Sequence, residues 1–427
     1  MSTSCTMAPC STEELSTEAG TAAMKISSKE GPISEKFAML RRLVPLVAND
    51  NITHLNAAFM PPLNLVIHQH IQSFCSGWLH DVSPKSSWKA TQEVTRALLG
   101  RYLNTQPTNI TFTRDTTEGM GSFMQSLRLQ PGDNIIILDC EHPSQAYGWL
   151  SLRSKGIEVR QVATRSELSG FSTIASAATF EKYVDNRTRC IGISSIMFHS
   201  GQRNDVADIC AKYRPRGVHV LVDLTQHVGF ANVDVEALGV SAAAFSLHKG
   251  LGCPLGFAAL YISKTFIDSE DPQPPIVGFG AVGDPTEDFL VSDGPITFHA
   301  SARRFEHANS NFLAAIAAQA ALQLYLDGMG PDDVEQHLYS LGDALRGRCK
   351  AIGVELAGPS LRAHHAPHLY LLKLYGDQWT NHFKVHNVAL TSFRWGVRVS
   401  FGFYSSLEDV ERLVDVIQLG LESGLPK

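Results

Sequence analysis

From about Ile52 to Ser263 the chain alternates short, almost unbroken apolar runs with stretches of helical spacing, and no other feature restricts its fold as much. Runs at Asn109–Phe112, Asn134–Leu138, Cys190–Ile196, Val218–Val222, Ala242–Phe245 and Phe257–Ile262 lack the polar alternation of a strand with one wet face. Both faces of such strands must be covered. Between them, segments such as Val206–Tyr213 carry one apolar helical stripe. Strand, helix, strand in repetition predicts an α/β fold, with a mostly parallel sheet and helices on both sides.

The pattern then changes. Residues 264–300 hold Pro272, Pro274, Pro275, Pro285 and Pro295 among glycines and aspartates, and read as loop lining a site or a subunit contact. An alanine-rich helix is expected from Phe312 to about Leu326, and another from Pro331-Asp332-Asp333, with proline and acids in its first turn. A strand at Trp395–Phe401 leads to a last helix, where Ser406 and Asp409 form a cap and Val410, Leu413, Val414 and Ile417 a stripe. Three parts follow: a disordered leader over 1–31, a large α/β domain over 32–305, and a smaller α+β C-terminal domain over 306–427. The amphipathic stretch Phe37–Val47 opens the ordered chain and is able to pack on the small domain.

Composition narrows the partners. Thirty-six Lys and Arg against 42 Asp and Glu, with no long basic run, argue against nucleic acid. No run of ~18 consecutive apolar residues predicts a membrane span. The first thirty residues, rich in Ser, Thr, Glu and Ala, resemble neither signal peptide nor anchor. Eight scattered cysteines without a CxxC pair suit a reduced, cytoplasmic setting. His364, His365 and His368 match no common zinc spacing, so no metal is expected; that stretch reads as a solvated or substrate-facing loop.

Four groups could carry chemistry. Asp223 ends one apolar strand, and ligands of open α/β sheets bind beyond such ends. Twenty-six positions on, Lys249 follows the next apolar run. Alone, the aspartate would be a cap and the lysine a solvated cation. Gln226 and His227 beside the first, and Ser246 and His248 before the second, make the pair more specific. In the second group, Thr113–Gly119 links a strand to a helix N-terminus, either an anion site holding Thr116 and Thr117 or an ordinary threonine cap. Third, His142 follows Glu141 and precedes Pro143-Ser144 after a strand. Last, Arg398 interrupts an apolar strand and needs a partner, an anionic ligand or an internal salt bridge.

With these residues so placed, the chain resembles the class V aminotransferase family from about His54 to Leu419. These are fold-type-I enzymes of pyridoxal 5′-phosphate (PLP), with a mostly parallel seven-stranded type of sheet; they include cysteine desulfurases, kynureninases and isopenicillin N epimerases. It is most similar to the isopenicillin N epimerase-like branch. The resemblance implies that Lys249 holds PLP as a Schiff base and Asp223 pairs with its ring nitrogen. Gln226 would bond the phenolic oxygen, and His142 would stack on the ring. Thr116, Thr117, Ser246 and His248 would hold the phosphate, and Arg398 the substrate carboxylate. Side-chain contacts to substrate are expected from Asn56 and the rest of His54–Met60, from the 276–300 loop and from the His364-His365 region.

A homodimer with shared active sites is implied as well. Asn309 stands where the family has a threonine reaching the neighbouring subunit's phosphate. Phe198 replaces an asparagine that contacts the cofactor. No cysteine follows Cys349, so the loop that carries the desulfurase nucleophile is empty and a persulfide-forming desulfurase is not expected. The expected activity lies at Cα of an amino acid, through an external aldimine: a lyase, epimerase or decarboxylating cyclase of specialised metabolism. The alternatives are a class V aminotransferase and a non-catalytic binding subunit.

Overall fold

A computed structural model describes residues 33–49, 52–164, 173–284 and 293–427. The expected leader over 1–31 lies outside them, as does the middle of the 264–300 stretch.

Seven strands, β1 (Ile110–Thr113), β2 (Asn134–Leu138), β3 (Glu158–Val162), β4 (Thr188–Ser194), β5 (His219–Asp223), β6 (Ala242–Ser246) and β7 (Ala258–Ile262), form one sheet in the order β1-β7-β6-β5-β4-β2-β3. Every pairing is parallel except the two made by β7, which runs against both neighbours. The connection from β6 to β7 therefore needs no helical crossover. It is the loop that carries Lys249. Strands β1, β2, β6 and β7 are buried along their whole length, as their unbroken apolar runs require. Strand β3 escapes the sequence reading for the complementary reason. It is an edge strand with Val159 and Val162 buried and Glu158 and Gln161 exposed, too polar to stand out.

Eight helices matter below: α1 (Leu65–His80), α2 (Lys85–Leu103), α3 (Thr116–Ser126), α4 (Pro143–Leu150), α5 (Val206–Tyr213), α6 (Phe312–Gln323), α7 (Pro331–Ala351) and α8 (Leu407–Glu422). The run Phe312–Met329 is long and apolar enough by length and composition to cross a membrane. Here its alanines, Ala314, Ala315, Ala317, Ala318, Ala320 and Ala321, are buried in a helix that packs on α1 and α2. Their small side chains suit a close approach between helices. The stretch from Lys264 is not all loop, since Lys264–Glu270 is a helix capped by Ser263.

A second sheet of β8 (Leu356–Ala357), β9 (Leu369–Leu372), β10 (Thr391–Phe393) and β11 (Gly396–Ser400) is antiparallel in the order β10-β11-β9-β8. Helix α8 starts at the Ser406–Asp409 capping box expected from sequence. The same Asp409 takes a two-pronged contact from Arg41, at 2.6 and 3.1 Å, and Thr53–His54 pairs with Val388–Ala389. The N-terminal segment thus packs on the C-terminal half and brings residues 56–59 towards the large sheet.

Candidate active site

The carboxyl ends of β1, β2, β4, β5 and β6 meet at one cavity of about 310 Å³. Larger depressions, such as the 770 Å³ groove beside α3 and α4, hold neither Asp223 nor Lys249. Both residues line the smaller cavity, together with Thr116, Thr117, His142, Gln226, Ser246 and His248. Most of the residues singled out in the sequence are therefore neighbours in space.

Asp223 is buried where β5 ends, and its carboxylate accepts from the Thr225 N–H at 2.8 Å. Burial pushes the Lys249 amine down to about 8, Asp223 pulling it back up and Arg398 adding to the fall. A neutral, nucleophilic amine is then within reach near neutrality. The lysine's loop is held close to the preceding turn. A Cβ on Gly250 would lie 2.3 Å from the Val228 carbonyl oxygen, and one on Gly229 2.5 Å from the Gly250 carbonyl carbon, so two glycine backbones touch directly behind the lysine.

One end of the cavity is a group of hydroxyls. Thr116 Oγ1 lies 2.6 Å from Ser246 Oγ and 2.8 Å from Thr225 Oγ1, and the Thr116 N–H donates to Ser246 Oγ at 3.3 Å. They sit at the first turn of α3, capped by Asp115, which accepts from the Glu118 N–H at 2.8 Å. Free N–H groups and hydroxyls together suit a phosphate. Sequence reading missed Thr225, whose only signal was its place between Asp223 and Gln226. Burial, then the charge of Lys249, push His248 down to about 4, so it serves as a neutral donor or acceptor.

His142 caps α4, its Nδ1 accepting from the Ser144 N–H at 3.2 Å, and meets Phe198 edge-on at 5.1 Å. Burial holds its basicity down, so the ring is apolar enough to lie against an aromatic ligand. Behind it stands Glu141, buried and pushed up to about 8 by that burial; it accepts from Ser194 Oγ at 2.5 Å and Ser194 N–H at 3.0 Å. No role was foreseen for this carboxyl. Its position before His142 was the available hint.

Arg398, on β11, does not line the cavity itself but stands beside it, against the lining residue Phe198. It is buried, donates from Nη1 to the Phe198 carbonyl at 2.8 Å, and lies 5.2 Å from the Phe393 ring centre. Its Nε has no partner, and no carboxylate pairs with it among the described residues. Burial lowers it to about 10. Of the two sequence readings, the internal salt bridge is not realised.

Asn309 lies away from this cluster, its Oδ1 accepting from Lys85 at 2.7 Å in a separate cleft beside Gly256; the contact expected of it is with the neighbouring subunit, and that expectation stands as it was. Two expectations are corrected. Asn56 is held by Thr391 at 2.7 Å, and His54 by the Tyr404 hydroxyl at 2.8 Å, so Phe59 is the member of His54–Met60 that lines the cavity. His365 and His368 are buried rather than solvated, His365 stacked on Tyr370 and His368 on Phe230. Burial was unforeseeable there because histidines in a Pro-rich stretch carry no apolar period.

Residues 66–370 match the family model described as aminotransferase class-V. A Schizosaccharomyces pombe protein described as an uncharacterized aminotransferase is 40% identical over 399 residues, which span 92% of this chain and 99% of that one. Among solved structures, an apo cysteine desulfurase from Thermococcus onnurineus is similar with a TM-score of 0.80 at 20% identity, over 93% of this chain and all of its own. A cystine C–S lyase in complex with its product cysteine persulfide gives 0.78 at 22% identity, covering 87% of this chain and 99% of its own. At such identities these two structures speak for the fold.

Proposed function

The chain belongs to the class V aminotransferase family of PLP-dependent enzymes, and on that premise we propose that it acts at Cα of an α-amino acid, as a lyase or epimerase of the isopenicillin N epimerase-like branch. The observation that carries this reading is Arg398, a buried guanidinium without a carboxylate partner among the described residues, close enough to Lys249 to depress it.

The residues fit the cofactor. Thr116, Thr225 and Ser246 would hold its phosphate, Asp223 its ring nitrogen, Gln226 its phenolic oxygen and Lys249 its aldehyde carbon. When bound, PLP supplies an electron sink for the pair left by a bond broken at Cα. Asp223 would keep that sink strong by holding a proton on the ring nitrogen. Arg398 takes the substrate carboxylate in a two-pronged grip and fixes which Cα bond is presented. Lys249, once free, is the base that removes the Cα proton and can return it.

The persulfide route of the desulfurases is disfavoured here. Among the described residues no thiol lines the cavity. The nearby Cys140 is pushed up to about 12 by burial, far from a thiolate at neutral pH. A second reading, a class V aminotransferase, is favoured by the S. pombe relative described as an uncharacterized aminotransferase. In a homodimer, Asn309 would serve the neighbouring site alongside or in place of its contact with Lys85.

Two measurements test this. Purified protein supplied with PLP should turn yellow, and Lys249→Ala should lose both the borohydride-reducible linkage and activity, by ~10³-fold or more. A panel of amino acids in deuterated water then separates the fates. Deuterium at Cα without product marks an epimerase, release of pyruvate or a thiol marks a lyase, and CO₂ a decarboxylating cyclase. A stoichiometric keto acid would replace the proposal by the aminotransferase. Protein that takes up no PLP would sink both.

A further inference from the structure

Gln226 has two polar ends, and the structure dictates which way they face. Its Nε2 is 3.0 Å from the carbonyl oxygen of Ala58, a group that can only accept. The amide nitrogen must therefore be the end at Ala58, which leaves Oε1, an obligate acceptor, 3.3 Å from Nε2 of His368. That histidine nitrogen has to be the one bearing hydrogen. The His368 Nδ1 is buried without a partner, as the aprotic nitrogen of that tautomer can be.

We infer that His368 is a positioning residue for the cofactor: by donating to Oε1 it locks the Gln226 amide so that its second N–H points into the cavity. This rests on the PLP reading above. Among the described residues no protein acceptor takes that second N–H, and Gln226 lines the cavity. Phe198, which also lines the cavity, offers no side-chain donor. The Gln226 N–H is then the protein donor available to the phenolic oxygen from this pair.

His368 is built to stay put. Its ring lies on Phe230 at 3.7 Å with 4° between planes, and its carbonyl accepts from the Phe401 N–H at 2.8 Å, pinning it to the end of β11. It is fully buried, and burial, helped by Arg398, His365, His227 and Lys249, keeps it neutral. A ring held neutral keeps its one hydrogen for Gln226.

The consequence is a colour change at lower pH. In PLP-loaded protein, a proton kept on the lysine–cofactor linkage would itself bond the phenolic oxygen, and once it left the oxygen would depend on Gln226. A fixed donor there therefore favours loss of the proton and lowers the midpoint of the visible titration. His368→Phe keeps a ring to stack on Phe230 and removes the donor. Its midpoint should rise by ~1 pH unit, the worth of about one ordinary hydrogen bond. His368→Gln, which restores an N–H, should return it towards wild type.

The experiment is a pH titration of the visible band of PLP-loaded wild type, His368→Phe, His368→Gln, Gln226→Leu and the His368→Phe/Gln226→Leu double variant. If His368 acts through Gln226, the double variant titrates like Gln226→Leu alone. Additive shifts, or a His368→Phe midpoint equal to wild type, overturn the inference. So does a His368→Gln shift as large as that of Gln226→Leu, an arm that stands even where the Phe variant does not fold. Wild type that never turns yellow defeats the PLP reading itself, a different outcome from all of these.

Discussion

The hydroxyl end of the cavity and the Arg398 guanidinium beside it are prepared for anions in opposite ways. At the hydroxyl end, Thr116, Thr225 and Ser246 satisfy one another at 2.6 and 2.8 Å, and all three are neutral. At the guanidinium end, Arg398 holds a buried positive charge with Nε unpartnered and one carbonyl for company. The first arrangement is comfortable with or without a guest. The second is under stress until a carboxylate arrives, because a desolvated cation has lost its water and gained little. A resident group and a transient one call for different sites, and that is the difference a cofactor phosphate and a substrate carboxylate would need.

If the two ends are separable, the largest effect should come from Arg398→Leu. The kcat/KM for the amino acid should fall by ~10²–10³-fold, as for truncation of a buried charge partner. PLP affinity should stay near wild type, and thermal unfolding of the substrate-free protein should not fall. Saturation kinetics beside a PLP titration decide it, and a parallel loss of PLP would join the ends. Next in size is Thr116→Val, which keeps shape and removes the central hydroxyl. It should weaken PLP binding by about tenfold while KM changes little.

The smallest effect is a pH shift. Capture of PLP by cofactor-free protein needs the neutral Lys249 amine. Burial lowers that amine to about 8, so the capture rate should rise with pH through about 8 and level off above it. Arg398 helps to lower it, so Arg398→Leu should move the midpoint upward and Thr116→Val should leave it in place. Stopped-flow absorbance across pH checks both.

What sequence could and could not reveal follows the same physics. Strand β2 was legible to the residue because an unbroken apolar run buried on both faces has no competing reading. Asp223 and Lys249 were legible because the first closes such a run, the second follows one by three residues, and the chain must turn there. Edge strand β3 was hidden by its polar face. Glu141 and Thr225 were in view without a role, since a carboxyl or hydroxyl in a turn is ordinarily a cap. His368 could not be read at all. Its partner Gln226 is 142 positions away, and the contact exists through the docking of the second sheet on the first. Arg398 was conspicuous on an apolar strand, but only the folded chain shows that no acid among the described residues pairs with it.

Strand β7 runs against its neighbours, and this has a mechanical consequence. Every parallel neighbour of the sheet is reached through a crossover whose length can vary without disturbing what the strand end presents. The segment bearing Lys249 has no such slack, since it is stitched to the same sheet fore and aft and braced by bare backbone against the Val228–Gly229 turn. A single inserted or deleted residue there would carry the amine out of register with Asp223. Changes of substrate would have to be made on the surrounding walls, with the nucleophile's mount left as a fixed datum.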